Sequence, residues 1–204
     1  QHLKYIYVDS GAMYRAVALY ALQNKLIIGT DLKISQLVKE LPFVKVTFVY
    51  NEVLKTSEVY LNDTNVNNAV RSMEVSNAVS IVAAVAEVRQ QLVKLQQQMG
   101  SQKGIVMDGR DIGTVVFTDA ELKLFMTASS DTRAKRRFDE LAATDSKVSF
   151  QAVLDNINSR DHLDSTRVDS PLFKADDAIE IDNSNLSLEQ QFEQVLKLVN
   201  SKLN

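Results

Sequence analysis

Leu3-Lys4-Tyr5-Ile6-Tyr7-Val8 is an extended apolar run that stops at Asp9-Ser10-Gly11 and passes straight into a helical pattern over Ala12 to Asn24, with Met13, Ala16, Val17 and Tyr20 on one side. A strand that feeds a helix with no room for a hairpin must return to its sheet by a crossover, so its neighbour is expected to run parallel. Gly104 and Ile105-Val106-Met107 open a second buried strand, ending at Asp108-Gly109-Arg110-Asp111. Glu121 to Met126 and Ala178 to Ile181 supply a third and a fourth. The fold class is α/β, a parallel sheet flanked by helices, and chemistry is expected at the carboxyl ends of its strands.

Between the first two strands the grammar changes. Asp31 to Leu41 reads as a short helix closed by Pro42, after which Phe43 to Tyr50 and Glu58 to Leu61 read as an antiparallel hairpin. Helices over Arg71 to Ala84 and Val85 to Met99 follow, the second with Val85, Val88, Leu92, Leu95 and Met99 at spacings of three and four. Residues 43–90 are therefore an expected insertion, too short to fold alone, in a core of residues 1–42 and 91–204. Ser130 to Ala142 is a basic helix, and Phe150 to about Asp164 another whose core face carries Phe150, Val153, Leu154 and Ile157. The last helix opens with a capping box from Ser187 to Gln190.

At 204 residues the chain is long for one domain and short for two, which suits one α/β domain with an insertion. Its net charge of −3 argues against non-specific nucleic-acid binding, so any anion site must be local. With no cysteine there is no disulfide or thiolate metal site, and His2 and His162 are too isolated to suggest zinc. No run reaches the length of a membrane span and no signal peptide is recognisable, so a soluble, cytoplasmic, monomeric protein is expected.

Four clusters carry possible chemistry. Asp9-Ser10-Gly11-Ala12-Met13-Tyr14-Arg15 brings Ser10 and free amides to a helix start with Arg15 one turn in; either an anion binds there, or Ser10 merely caps the helix and Arg15 is surface. Asp108-Gly109-Arg110-Asp111-Ile112-Gly113-Thr114 offers a carboxylate for a magnesium water and a guanidinium for a phosphate, against the alternative of a turn with a local ion pair. Arg133, Arg136 and Arg137, at i, i+3 and i+4, share one helical face that suits a lid over polyphosphate or simply faces solvent. Arg160, Asp164 and Arg167, at i, i+4 and i+7, form another such face, with ion pairing between turns as the plain alternative. Ser80 and Arg89 pass individually for helix-surface residues, and His162 for polar surface. Gly104 and Gly109 have the glycine spacing of a phosphate-binding P-loop, but Arg110 and Asp111 stand where its lysine and hydroxyl belong.

Taken in order, D-S-G-A-M-Y-R, D-G-R-D-I-G-T-V-V-F and R-D-x-x-D-x-x-R resemble the bacterial cytidylate kinase family from about Tyr7 to the last helix. The resemblance implies a P-loop nucleoside-monophosphate-kinase-like fold with a small α+β CMP-binding insertion at 43–90 and a helical lid over about 129–160. It implies transfer of the ATP γ-phosphoryl group to CMP or dCMP, with Mg2+ as cofactor. By the same likeness Ser10, Ser80, Arg89 and Asp111 read the cytosine edge, and Arg15, Arg110 and Arg167 grip the CMP phosphate. Arg160 and Asp164 contact ribose, Arg133, Arg136 and Arg137 close on the ATP side, and Asp108 meets the metal through water. Family members carry G-x-x-x-x-G-K-[ST] before the part matched here, so roughly 20–25 further residues are expected upstream of Gln1. A chain truly beginning at Gln1 is expected to be inactive. A non-catalytic nucleotide-binding module and a kinase with another acceptor are the competing readings.

Overall fold

The computed structural model describes residues 2–143 and 148–203. In chain order the main elements are β1 (Ile6–Asp9), α1 (Ser10–Gln23), β2 (Ile27–Ile28), β3 (Asp31–Leu32), α2 (Ile34–Glu40), β4 (Val46–Asn51), β5 (Thr56–Leu61), β6 (Thr64–Asn65), α3 (Met73–Ala83) and α4 (Ala86–Gly100). They continue with β7 (Ile105–Asp108), β8 (Leu124–Thr127), α5 (Ser130–Ala142), α6 (Phe150–Thr166), β9 (Ile179–Asp182) and α7 (Leu188–Leu203).

The expected crossover is present. β1 lies parallel to β7 in a register that sets Asp9 opposite Asp108, and β8 lies parallel to β9, but among the described residues the two pairs are separate two-stranded sheets and not the single four-stranded sheet expected. Two acidic strand ends therefore meet at one edge of the molecule, next to the start of α1. That helix begins at once because the Asp9 carboxylate accepts from the Ala12 N–H at 2.9 Å, satisfying a donor that the first turn leaves without a partner. Small alanines at 12, 16, 18 and 21 let α1 be packed on nearly every side, and Met13, Ala16, Ala18 and Ala21 are fully buried.

Residues 43–90 form the meander β4-β5-β6 with α3 and the start of α4, and Val46 pairs with Leu61 across the hairpin. Their apolar side chains belong to the same buried cluster as α1 and α2: Val46, Val59, Val75, Val82 and Val88 pack with Met13, Val17 and Leu37. A second, smaller cluster of Ala134, Leu141 and Val153 joins α5 to α6, and Met73 of α3 packs against it.

Several boundaries differ from the sequence reading. β1 starts at Ile6, because Lys4 adopts a left-handed backbone (φ 58°) that interrupts an extended strand. Asp31 belongs to the short hairpin with Ile28, so α2 starts only at Ile34. Leu41–Phe43 is a 3-10 turn around Pro42, which delays β4 to Val46. Ser72 caps α3 through the Val75 N–H at 3.3 Å and so moves its start from Arg71 to Met73. Residues 144–147 of the expected lid lie outside the described residues.

Candidate active site

The loop after β7 brings the site together. The Asp111 carbonyl collects the N–H groups of Thr114, Val115 and Val116, which makes the turn Ile112–Val116 π-helical and leaves the Asp111 side chain pointing inward. There it pairs with Arg89 of α4 through a short Nη2 contact to Oδ2, and the two side chains are 3% and 5% exposed. The Arg89 guanidinium also reaches the Ala83 carbonyl at 3.4 Å and lies 5.7 Å from the centre of the Tyr14 ring. Gly109 is required by a close approach. A methyl there would collide with the Ser10 hydroxyl, which donates to the Asp108 carbonyl at 2.6 Å, and would sit 2.9 Å from the Ile112 side chain.

Arg15 reaches back six residues to Asp9, Nη2 to Oδ2, at 2.6 Å. Asp164, buried on α6, holds two cations: Arg110 Nε stands 3.1 Å from Oδ2, and Arg167 Nη1 donates to Oδ1 at 3.2 Å. Arg167 is not on the helical face expected for it. α6 ends at Thr166, and Arg167 sits in extended backbone just past it, its Nε fixed to the Ser170 carbonyl at 2.8 Å.

Arg110, Arg133, Arg137 and Arg160 line one cavity of about 210 Å³ with Ser76, Asn156 and Asp161. A second cavity of about 390 Å³ adjoins it across Asn156 and Arg160, and Ser80 lines that one with Asn77 and Ser159. Arg133 is aimed by Asp161 at 2.6 Å. Arg137 holds the Arg71 carbonyl at 2.7 Å, and Asn156 donates to Asn77 at 2.7 Å, so α5 and α6 are tied to α3 and the turn before it by polar contacts. Arg136 departs from the expected shared face: it clamps Asn183 after β9 with two bonds of 2.9 and 2.7 Å and does not line the cavity. Residues at i, i+3 and i+4 span an arc of the helix, and tertiary partners at either edge of that arc draw them apart.

The site holds several buried donors without partners, and the buried Asp164 Oδ2, though ion-paired with Arg110, also makes no hydrogen bond among the described residues. Arg15 Nε, Arg89 Nε, Arg160 Nε and Arg167 Nη2 are buried donors with no hydrogen-bond partner among the described residues, as is the Tyr14 hydroxyl. Burial first, then the charges of Arg110, Arg15 and Arg137, lower Arg160 to about 10, despite the opposing pull of Asp164. Burial and Arg89 likewise lower Arg167. Asp108 moves the other way: burial and the neighbouring Asp9 raise it, and Tyr7 opposes this by donating to it at 2.8 Å.

Arg160 is thus held against its electrostatic preference. Its folded value lies below the unfolded value of 12.5, so it remains charged at pH 7, and the opposition to folding is fully present below about pH 10. Stability gains from its deprotonation only as pH climbs from there towards 12.5. At neutral pH, Arg160→Met is therefore expected to raise the melting temperature of the free protein by a few degrees while abolishing the extra stabilisation given by a bound mononucleotide. Differential scanning fluorimetry with and without ligand checks both halves, and a lower melting temperature for the free variant contradicts the first.

Sequence reasoning passed over Tyr14, Asp161 and Asp169 as individual groups. The first two stand inside recognised strings, between Ser10 and Arg15 and directly after Arg160. Asp169, whose Oδ2 is 3.8 Å from Arg89 Nε, has no local signal at all.

Parallel strand pairs flanked by helices, acidic strand ends beside a helix start, and buried guanidiniums with unpaired N–H groups are consistent with a nucleoside-monophosphate-kinase-like fold. A family model described as cytidylate kinase matches residues 1–201. Relatives named cytidylate kinase are 58% identical in Flavobacterium psychrophilum, across 98% of this chain and 88% of that protein, and 56% identical in Flavobacterium johnsoniae, across 98% and 87%. A third, from Porphyromonas gingivalis, is 50% identical across 92% of this chain and 81% of its own length. The chain belongs to the cytidylate kinase family.

Proposed function

We propose that the protein transfers the γ-phosphoryl group of ATP to CMP or dCMP, giving CDP or dCDP. The observation that carries this reading is the set of four arginines, from α1, α4, α6 and the segment after α6, each with a buried N–H that lacks an acceptor. An unpaired buried donor costs about 1–3 kcal/mol. A nucleotide offers the missing acceptors and a negative charge to offset the crowding of the cations.

Arg15, Arg110 and Arg167 hold the CMP phosphate, with Asp164 fixing the last two. Arg160 and Asp164 face the ribose. Arg89 donates to the ring acceptors of cytosine, while Asp111, Ser10 and Ser80 accept from its exocyclic amine, which uracil lacks; an acceptor left facing uracil discriminates by about 1–3 kcal/mol. Arg133 and Arg137 meet the ATP side, and Arg136 supports them from Asn183. A CMP phosphate oxygen forms the bond to the γ-phosphorus as the bond to the ADP oxygen breaks. No enzyme nucleophile is involved, so the protein contributes alignment and positive charge.

The residues also fit Mg2+. Asp9 and Asp108 are partner positions on paired strands, and a divalent cation would add to Arg15 in offsetting the charge that raises Asp108. Asp108 would hold the ion through water, and the ion would supply neutralisation of phosphate charge. Among the described residues no helix is long and apolar enough to cross a membrane, and we take the enzyme to be a cytoplasmic monomer that does not bind nucleic acid.

The test is a coupled ADP-release assay of the full gene product with ATP and, in turn, CMP, dCMP, UMP and AMP. CMP and dCMP are expected to lead by tenfold or more in kcat/KM. Preference for UMP or AMP defeats the cytosine assignment, and no transfer to any acceptor defeats the enzyme reading.

A further inference from the structure

Tyr14 is 8% exposed, and its hydroxyl is buried without a hydrogen-bond partner among the described residues. A phenol oxygen in that position loses water and gains nothing, so the folded chain alone gives no reason for tyrosine over phenylalanine. The charged groups acting on it are Arg89, Asp111, Arg167 and Asp169, of which Arg89 and Asp111 belong to the proposed base pocket. Burial above all pushes the phenol up to about 12, so it keeps its proton and remains a donor at pH 7. Two further orphaned donors, Arg89 Nε and Arg167 Nη2, stand in the same cluster. The ring contributes separately, since its centre lies 5.7 Å from the Arg89 guanidinium carbon, which also pairs with Asp111.

On the reading of the site as a CMP pocket, we infer that Tyr14 is a substrate-binding residue, its hydroxyl donating to an acceptor on the pyrimidine nucleoside beside Arg89 while its ring positions that arginine. The chemistry recognised is a ring carbonyl or ring nitrogen of the nucleoside, not the phosphate, which Arg15, Arg110 and Arg167 serve.

Tyr14→Phe separates the two roles, because it keeps the ring and deletes only the hydroxyl. The full gene product and this variant are melted alone, with CMP and with inorganic phosphate, and KM and kcat for CMP are measured in parallel. The free variant is expected to melt no lower than wild type, its KM for CMP to rise about tenfold with kcat within a few-fold, and its response to phosphate to stay unchanged. A free variant that melts well below wild type or fails to fold makes the hydroxyl structural and overturns the inference. So does an unchanged response to CMP, or an equal loss of response to phosphate. Wild type that neither CMP nor phosphate stabilises overturns the pocket reading itself, a different result from failure of the variant alone.

Discussion

Arg110→Ala is expected to lower kcat/KM for CMP by about three orders of magnitude, close to 4 kcal/mol of transition-state stabilisation. Arg110 is placed to do this because it lines the cavity with 42% of its side chain exposed and, among the described residues, only its Nε is engaged, by Asp164 at 3.1 Å. The rest of its fork is available to a phosphate whose charge rearranges during transfer. If that charge is met mainly in the transition state, kcat falls along with kcat/KM. The fold should tolerate the change, because a half-exposed ion pair contributes at most about 1 kcal/mol and Arg167 still neutralises Asp164. Steady-state kinetics beside urea unfolding separate the effects. Near-normal turnover removes Arg110 from the machinery, and a collapse of stability makes its role structural.

Asp111→Ala acts on the fold itself. Arg89 and Asp111 are the most deeply buried oppositely charged pair in the site, so deleting the carboxylate strands a guanidinium whose nearest alternatives are the Ala83 carbonyl at 3.4 Å and Asp169 at 3.8 Å. An uncompensated buried charge costs about 3–5 kcal/mol, roughly 10 °C in melting temperature for a domain of this size. Adding Arg89→Met removes the stranded charge, so the double variant is expected to regain most of the loss while still failing to distinguish CMP from UMP. A double variant no more stable than Asp111→Ala alone shows that the loss came from the loop backbone and not from the charge.

These expectations rest on a site only partly legible in the chain. Local signals were sufficient for most elements. Ser129, Ser149 and Ser187 each accept from the N–H three residues on and mark where α5, α6 and α7 begin, and the reciprocal Gln190 bond at the last of these is present at 2.9 Å. Boundaries slipped where a non-local or unusual backbone intervened, as at Lys4 and at the Ile28–Asp31 pairing. Helix α5 shows the same limit within one turn. Spacing puts Arg133, Arg136 and Arg137 together, yet Asp161, Asn183 and the Arg71 carbonyl draw them to different partners.

By itself the sequence determined the α/β class, the strand-to-helix junctions, the three motif strings and the arginines worth watching, because apolar period, caps and glycine positions act over a few residues. Only the tertiary structure decided which of those arginines share a cavity, which donors are left without acceptors, that Arg136 turns to Asn183, and that Tyr14 and Asp169 border the Arg89–Asp111 pair. Burial and hydrogen-bond satisfaction are properties of surfaces brought together from distant parts of the chain, and no local spacing encodes them.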